Sequence, residues 1–414
     1  MKVLVFGGSG KIGTAVAWDL AKDPKVQQIG LVGRSAEALE KARRWIGAGN
    51  VVPHVLDVAD TAAVRGAMKG YDAGALALPD RRTSYRIVHT AIEAGLPIVD
   101  MLEEYHRTPD AYEIEGLEIP AGMTLARYGE WLHEQAVARG VPFIDGMGFA
   151  PGLSNITVGE GIRKLDTATS AVARVGGIPE KSIAAKRPLR YMITWAFDHV
   201  LREYMVRLLV RKDGQVVEVD AGTDREKFVF AQFGKSEPLE CAVTPGMPSF
   251  ITSRPQLRDF SEKTVRWPGH WDGVQTLKEC GLLDLDPVEV NGTRVVPREV
   301  LLALIVPKLR AKEGDRDACV MYNTVRGVKN GKPTTIEYWM WDEPRDGLSS
   351  MARVTGFPVA LAARLLANGT IRQGGILPPE DCITGETYAW CLAELEQRGI
   401  RIAETVAEDA APRG

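Results

Sequence analysis

The first third of the chain alternates short apolar runs with amphipathic stretches. The apolar runs predict strands at Lys2–Phe6, Gln28–Val32, Val51–Val55, Ala73–Leu78, Pro97–Asp100 and Pro142–Asp145. Between them, apolar positions recurring every three or four residues predict helices at Ile12–Lys22, Ala36–Ile46, Thr61–Met68, Tyr85–Ala94 and Leu125–Arg139. Parallel strands need long crossovers, and helices supply them, so the expected fold class is α/β with a doubly wound Rossmann sheet. The rhythm breaks over residues 102–124, where Glu103-Glu104-Tyr105-His106 opens an aperiodic stretch that ends near Pro120. It reads as an insertion, either a lid or a solvated loop.

From Thr167 the pattern becomes strand-rich. Strands are expected at Ala171–Val175 and over Arg207–Asp220 with a turn at Asp213-Gly214, and Ala318–Lys329 is expected to pair with Thr334–Trp341 across Asn330-Gly331-Lys332-Pro333. Helical periodicity returns over Ser349–Asn368 and Glu386–Arg398, and the residues from Glu408 on read as a frayed end. The expected organisation is a dinucleotide-binding domain over 1–150 and a helical C-terminal segment over 346–414. A second α+β domain with a mixed or antiparallel sheet is expected over 151–345.

Bulk properties narrow the partners. A chain of 414 residues exceeds what one core organises. A net charge of −3 provides no general attraction to nucleic acid or anionic lipid. Five dispersed cysteines without a C-x-x-C pair suggest neither a disulfide framework nor a metal site. The apolar run at the start is too short for a signal core, and no stretch approaches the roughly 18 apolar residues of a membrane span. The expectation is a cytoplasmic protein that handles small molecules.

The strongest chemical signal is Gly8-Ser9-Gly10-Lys11-Ile12-Gly13, which follows Gly7 and the first strand and opens the first helix. Glycines let the backbone turn tightly and approach a pyrophosphate, whose charge is met by unpaired amides at the positive helix end. At the end of the second strand an acid would bind the free ribose of NAD, but the sequence reads Gly33-Arg34-Ser35. Arg34 and Ser35 favour the 2′-phosphate of NADP, with NAD as the alternative and a sheet-edge cover as the structural reading of Arg34. Asp57 and Val58 are expected beside the adenine, and Leu78 and Pro79 beside the nicotinamide.

Asp100 and Asp145 end strands at the carboxyl edge, where ligands of such sheets bind. The turn Gly146–Asn155 either offers backbone donors to a ligand or links the domains. In the second domain, Arg266-Trp267-Pro268-Gly269-His270 combines a carboxylate fork, an apolar wall and an imidazole, a candidate substrate clamp. Tyr191, Trp195 and Tyr204 read as core aromatics, and Lys181, Lys186, Arg187 and Arg190 as a solvated basic loop.

These motifs together resemble the saccharopine dehydrogenase-like family, most closely its lysine 6-dehydrogenase branch. The resemblance is carried by Gly148–Ile156, Val175–Pro179, Tyr191–Trp195, Glu203-Tyr204, Arg266–His270, Ser350–Pro358 and Gly375–Glu380. It implies that 346–414 folds back onto the first domain, that a dimer forms through the second domain's sheet, and that oxidation occurs at a carbon bearing nitrogen, at the ε-carbon for a lysine-type substrate. It also implies Arg266 as the carboxylate ligand, His270 as the proton-transfer group, Tyr204 as a further catalytic candidate, and Asp100 orienting amine or nicotinamide. A saccharopine reductase, a carboxylated-polyamine dehydrogenase and a non-catalytic NADP sensor are the alternatives.

Overall fold

A computed structural model describes residues 1–78, 81–102 and 119–408; the side chains of residues 81–84, 125, 126 and 198 are not described. The chain divides into two compact units. The first comprises Met1–Glu160, Met247–Ser253 and Ala352–Ile400, and the second comprises Gly161–Gly246, Arg254–Met351 and the chain from Arg401.

The first unit is built on a parallel sheet. In chain order its strands are β1 (Lys2–Phe6), β2 (Gln28–Gly33), β3 (Val51–Val55), β4 (Ala73–Leu76), β5 (Ile98–Val99) and β6 (Pro142–Ile144). Their spatial order is β6-β5-β4-β1-β2-β3, with Gly375–Leu377 added beyond β6. Val3, Leu4, Val5 and Phe6 are all fully buried, because helices cover both faces and leave no solvent side to alternate with. The chain leaves β1 through helix α1 (Lys11–Leu20) to β2, then returns after β3 to β4 on the other side of β1. That reversal opens the crevice at the carboxyl ends of β1 and β4 where dinucleotides bind in such sheets.

Three predicted strands end early, β4 at Leu76, β5 at Val99 and β6 at Ile144, so Leu78, Asp100 and Asp145 follow the strand ends, the two aspartates still donating their amides to the neighbouring strands. The strand Gly375–Leu377 escaped prediction because it is three residues long and bounded by Gly and Pro, too short for any period to show. Ala352–Ile400 braces α1. A Cβ on Gly356 would come 2.9 Å from that of Ala15, Phe357 stacks on Trp18, and Arg398 bonds the buried Asp19 at 2.5 Å.

The second unit contains a mixed sheet. Its main path runs Glu226–Phe230, Glu237–Val243, Asp259–Arg266, Thr167–Pro179, Asp317–Lys329, Lys332–Asp342 and Ile402–Glu408. Asp259–Arg266 pairs parallel with Thr167–Pro179, whereas the other neighbours on this path are antiparallel. The hairpin Arg207–Lys212/Gln215–Asp220 joins through Arg211 and Phe260. Two details correct the sequence reading. The long hairpin turns on Asn330 and Gly331 alone, both at positive φ (51° and 74°), so Lys332 and Pro333 belong to the strand. Glu408 is paired with Thr334 as the end of an edge strand and is not frayed; residues 409–414 lie outside the described residues.

Candidate active site

The turn between β1 and α1 is shaped by crowding. A Cβ on Gly13 would fall 2.3 Å from the Gly7 carbonyl oxygen, and one on Gly7, itself at φ 75°, would fall 2.4 Å from that of Ala77. Gly7 and Gly8 donate to the Val32 carbonyl at 3.0 and 3.1 Å, and Gly10 donates to Gly7 at 2.9 Å. Gly10 is the N-cap of α1 and offers no side chain, and the first turn carries no acid. Among the described residues, the amides of Lys11, Ile12 and Gly13 therefore find no acceptor. A bare helix start with three free donors fits a pyrophosphate.

Arg34 is exposed just beyond β2 and makes no hydrogen bond or ion pair among the described residues. Ser35 is the N-cap of the helix Ala36–Ile46, its Oγ accepting from the Ala38 amide at 3.2 Å, so only its own proton is left for a phosphate. Asp57 turns its carboxylate onto the Ala59 amide at 3.0 Å, and Val58 packs half-buried on the core. Leu78 packs there too and backs Gly7, whereas Pro79 lies outside the described residues.

The second unit gathers Tyr204, Arg266 and His270 into one buried chain of hydrogen bonds. The His270 Nδ1 lies 2.8 Å from the Leu189 carbonyl, which only accepts, so Nδ1 carries the proton. Nε2 then accepts from the Tyr204 hydroxyl at 3.0 Å, and that oxygen accepts in turn from Arg266 Nε and Nη2 at 3.1 and 3.0 Å. Left-handed backbone at Leu189 (φ 54°) aims its carbonyl. The helix that begins at His270 is capped by Glu240, which accepts from the Gly269 and Trp271 amides at 3.0 Å each. Arg266 is 3% exposed, with Nη1 on the Val265 carbonyl and the guanidinium carbon 5.1 Å from the Tyr191 ring centre. No carboxylate among the described residues pairs with it, and Glu203 acts only at longer range. The buried hydroxyls of Tyr191 and Thr194 lack well-formed hydrogen bonds, although Thr194 lies close enough to ease the burial of Tyr191.

This geometry changes the role expected of His270. Burial, with Arg266 beside it, pushes its imidazole down to about 3, so it is neutral near pH 7 and its lone pair is already engaged. Its ring holds the Tyr204 hydroxyl, whereas a proton shuttle needs a group that titrates near the working pH. Trp267 also leaves the expected clamp, since it projects to the opposite face and donates to the Pro179 carbonyl at 2.7 Å. Of the basic run, Arg187 is buried against Asp315 and Lys181 pairs with Glu237 at 2.6 Å.

Two family models match the chain. The saccharopine dehydrogenase C-terminal domain covers residues 148–400, and the saccharopine dehydrogenase NADP binding domain covers residues 3–126. The chain belongs to the saccharopine dehydrogenase family. Within it, carboxyaminopropylagmatine dehydrogenase of Synechocystis is 21% identical over 405 residues, 92% of each chain. Saccharopine dehydrogenase [NADP(+), L-glutamate-forming] of Schizosaccharomyces pombe is 27% identical over 135 residues, 32% of this chain and 29% of that enzyme's length. Apo saccharopine dehydrogenase (L-Glu forming) from Saccharomyces cerevisiae shares the fold, with a TM-score of 0.76 and 19% identity over 98% of this chain and 99% of that one. The glycine-rich turn thus belongs to an NADP-binding domain, and the protein to a family of oxidoreductases.

Asp100 and two of the family motifs make structural contacts. Asp100 is buried and accepts from the Gly146 amide at 2.7 Å, while its carbonyl accepts from Met147 at 2.8 Å, so it shapes the turn after β6. Gly148 and Gly152 pack so closely that a Cβ on Gly152 would meet the Gly148 oxygen at 2.1 Å. Asn155 accepts from the Gly152 amide at 2.9 Å and donates to Glu380, which also accepts from Ser249. These contacts favour the structural reading of the second glycine-rich turn. Sequence reasoning passed over Glu240 and Glu262, although Glu262, Thr264 and Arg266 stand at alternate positions of one strand and so share a face.

Proposed function

We propose that this family member is an NADP-dependent dehydrogenase that acts on the C–N bond of an amino acid or amine, with Arg266 binding a substrate carboxylate. The observation that carries this reading is a buried guanidinium with no acidic partner among the described residues, beside the under-bonded hydroxyls of Tyr191 and Thr194. An uncompensated buried cation is costly, and a bound carboxylate relieves it through two parallel hydrogen bonds. Tyr204, fixed by His270, keeps the fork of Arg266 oriented. Bound NADP supplies a hydride acceptor for the carbon that carries nitrogen, and the free amides of α1 and the guanidinium of Arg34 hold its phosphates.

The substrate reading closest to the sequence motifs is a lysine-type amino acid oxidised at the ε-carbon. The full-length likeness to the Synechocystis enzyme supports a carboxylated polyamine equally, and both classes present the carboxylate that Arg266 needs. Nicotinamide absorbance should be followed with NADP or NADPH against lysine, saccharopine, carboxyaminopropylagmatine and simple amines, in wild type and Arg266→Met. Turnover of a carboxylated substrate that Arg266→Met loses supports the proposal. Tight NADP binding with no turnover of any of them points instead to a sensor.

A further inference from the structure

The strand Asp259–Arg266 pairs without a register shift with both long neighbours, so Glu262, Thr264 and Arg266 project from one face. Glu262 is 5% exposed. Its Oε2 accepts from the Thr244 hydroxyl at 2.8 Å, and that hydroxyl lies 2.6 Å from Thr264 Oγ1. Its other oxygen has no partner among the described residues. A Cβ on Gly246 would fall 2.6 Å from the Glu262 carboxyl carbon, so bare backbone is what lets the carboxyl sit there. On the next strand Ala173 stands opposite Glu262 and contributes only a methyl group. The nearby cations Arg174 and Lys263 project from the other face, bound to Glu226 and, for Lys263, also to Asp224. Glu262 is therefore a largely buried carboxyl with one oxygen hydrogen-bonded and the other still open to an incoming group, an arrangement that calls for a ligand to explain it.

We propose that Glu262 is the cation-binding end of the substrate site, holding the ammonium or guanidinium nitrogen of a molecule whose carboxylate is bound by Arg266. The proposal rests on the carboxylate role given to Arg266 above. The two stand four positions apart along the strand, roughly 13 Å. That span matches a carboxylate and a basic nitrogen several methylenes apart, as in ω-amino acids and carboxylated polyamines. Burial holds the Glu262 carboxyl well above the usual carboxylate range, opposed by the Thr244 bond and Arg266 and reinforced by Glu203. An arriving cation supplies the counter-charge that the empty protein lacks.

Calorimetric titration of the NADP-loaded protein with caproate, hexylamine and ε-aminocaproate separates the two ends. In the wild type, ε-aminocaproate should bind about tenfold or more tightly than caproate, the worth of one charge-assisted contact. Glu262→Gln should erase that margin while leaving caproate affinity unchanged. A margin that survives in Glu262→Gln, or a wild type that binds none of the three, overturns the proposal. Should Glu262→Gln fail to fold, Glu262→Asp keeps the charge but shortens its reach, and an unreduced margin there overturns the proposal equally. Arg266→Met tests the other end separately: if it leaves caproate binding intact, the carboxylate role of Arg266 falls while the Glu262 margin is still read from the same titrations.

Discussion

The side-chain amide of Asn155 donates to the Glu380 carboxylate at 3.0 Å, joining two family motifs that stand 225 residues apart in the chain. Both residues are fully buried, and Ser249 donates to the second Glu380 oxygen at 2.8 Å from a third segment. One carboxylate thus ties three stretches of the first unit together.

The first prediction follows from that knot. Asn155→Ala removes a hydrogen bond to a buried ionisable group and should cost about 2–3 kcal/mol of stability. Asn155→Asp, closer in shape, should cost more, because it sets a second carboxylate against Glu380. Urea unfolding checks the order; an aspartate variant as stable as wild type would contradict the assigned contact.

A second prediction contrasts two glycines of the nucleotide turn. A Cβ on Gly13 would meet backbone at 2.3 Å, whereas one on Gly10 would meet the Gly7 oxygen at 3.3 Å. Overpacking of that kind costs about 1–3 kcal/mol. Gly13→Ala should therefore weaken NADPH roughly ten- to a hundredfold, and Gly10→Ala by a few-fold at most. NADPH fluorescence titration reads both, and equal affinities in the two variants would refute the geometry.

The Rossmann half was legible because its signals are local. The strand Lys2–Phe6 carries a continuous apolar run over Val3–Phe6, and the helix Ala36–Ile46 begins at a serine cap and ends at a left-handed Gly47, each a short-range cue. The second unit was harder, because its pairings are non-local: nothing near Ile402–Glu408 announces Lys332–Asp342 as a partner. The candidate site divided similarly. Arg266, Tyr204 and His270 were nameable from their motifs, but the neutrality of His270 depends on Leu189 and Arg266 closing around it, which no spacing encodes. Glu262 was overlooked because an acid in a strand reads as solvent-facing until its neighbours are known.

A third prediction concerns cofactor choice. Arg34 is exposed and unpaired among the described residues at the end of β2, free to grip a 2′-phosphate. Arg34→Asp replaces attraction with repulsion and offers an acceptor to the ribose hydroxyls of NAD. A lost charge-assisted contact is worth about 1.5–3 kcal/mol, so the preference for NADP should fall at least about tenfold. Parallel titration with NADPH and NADH measures the ratio; an unchanged ratio removes Arg34 from phosphate recognition.

The last prediction tests His270 as a positioning residue. Its folded imidazole lies near 3, well below the ordinary 6.5, so the unfolded chain binds a proton that the native protein refuses. Stability from this source is complete above pH 6.5 and is lost as the pH falls toward 3. His270→Asn removes that source, so its destabilisation relative to wild type should be largest near neutral pH and shrink progressively below pH 6. Urea unfolding across that range gives the difference directly. A gap that widens on acidification would mean that His270 is charged in the folded protein, and that the Tyr204 hydroxyl accepts from the ring where the geometry has it donating.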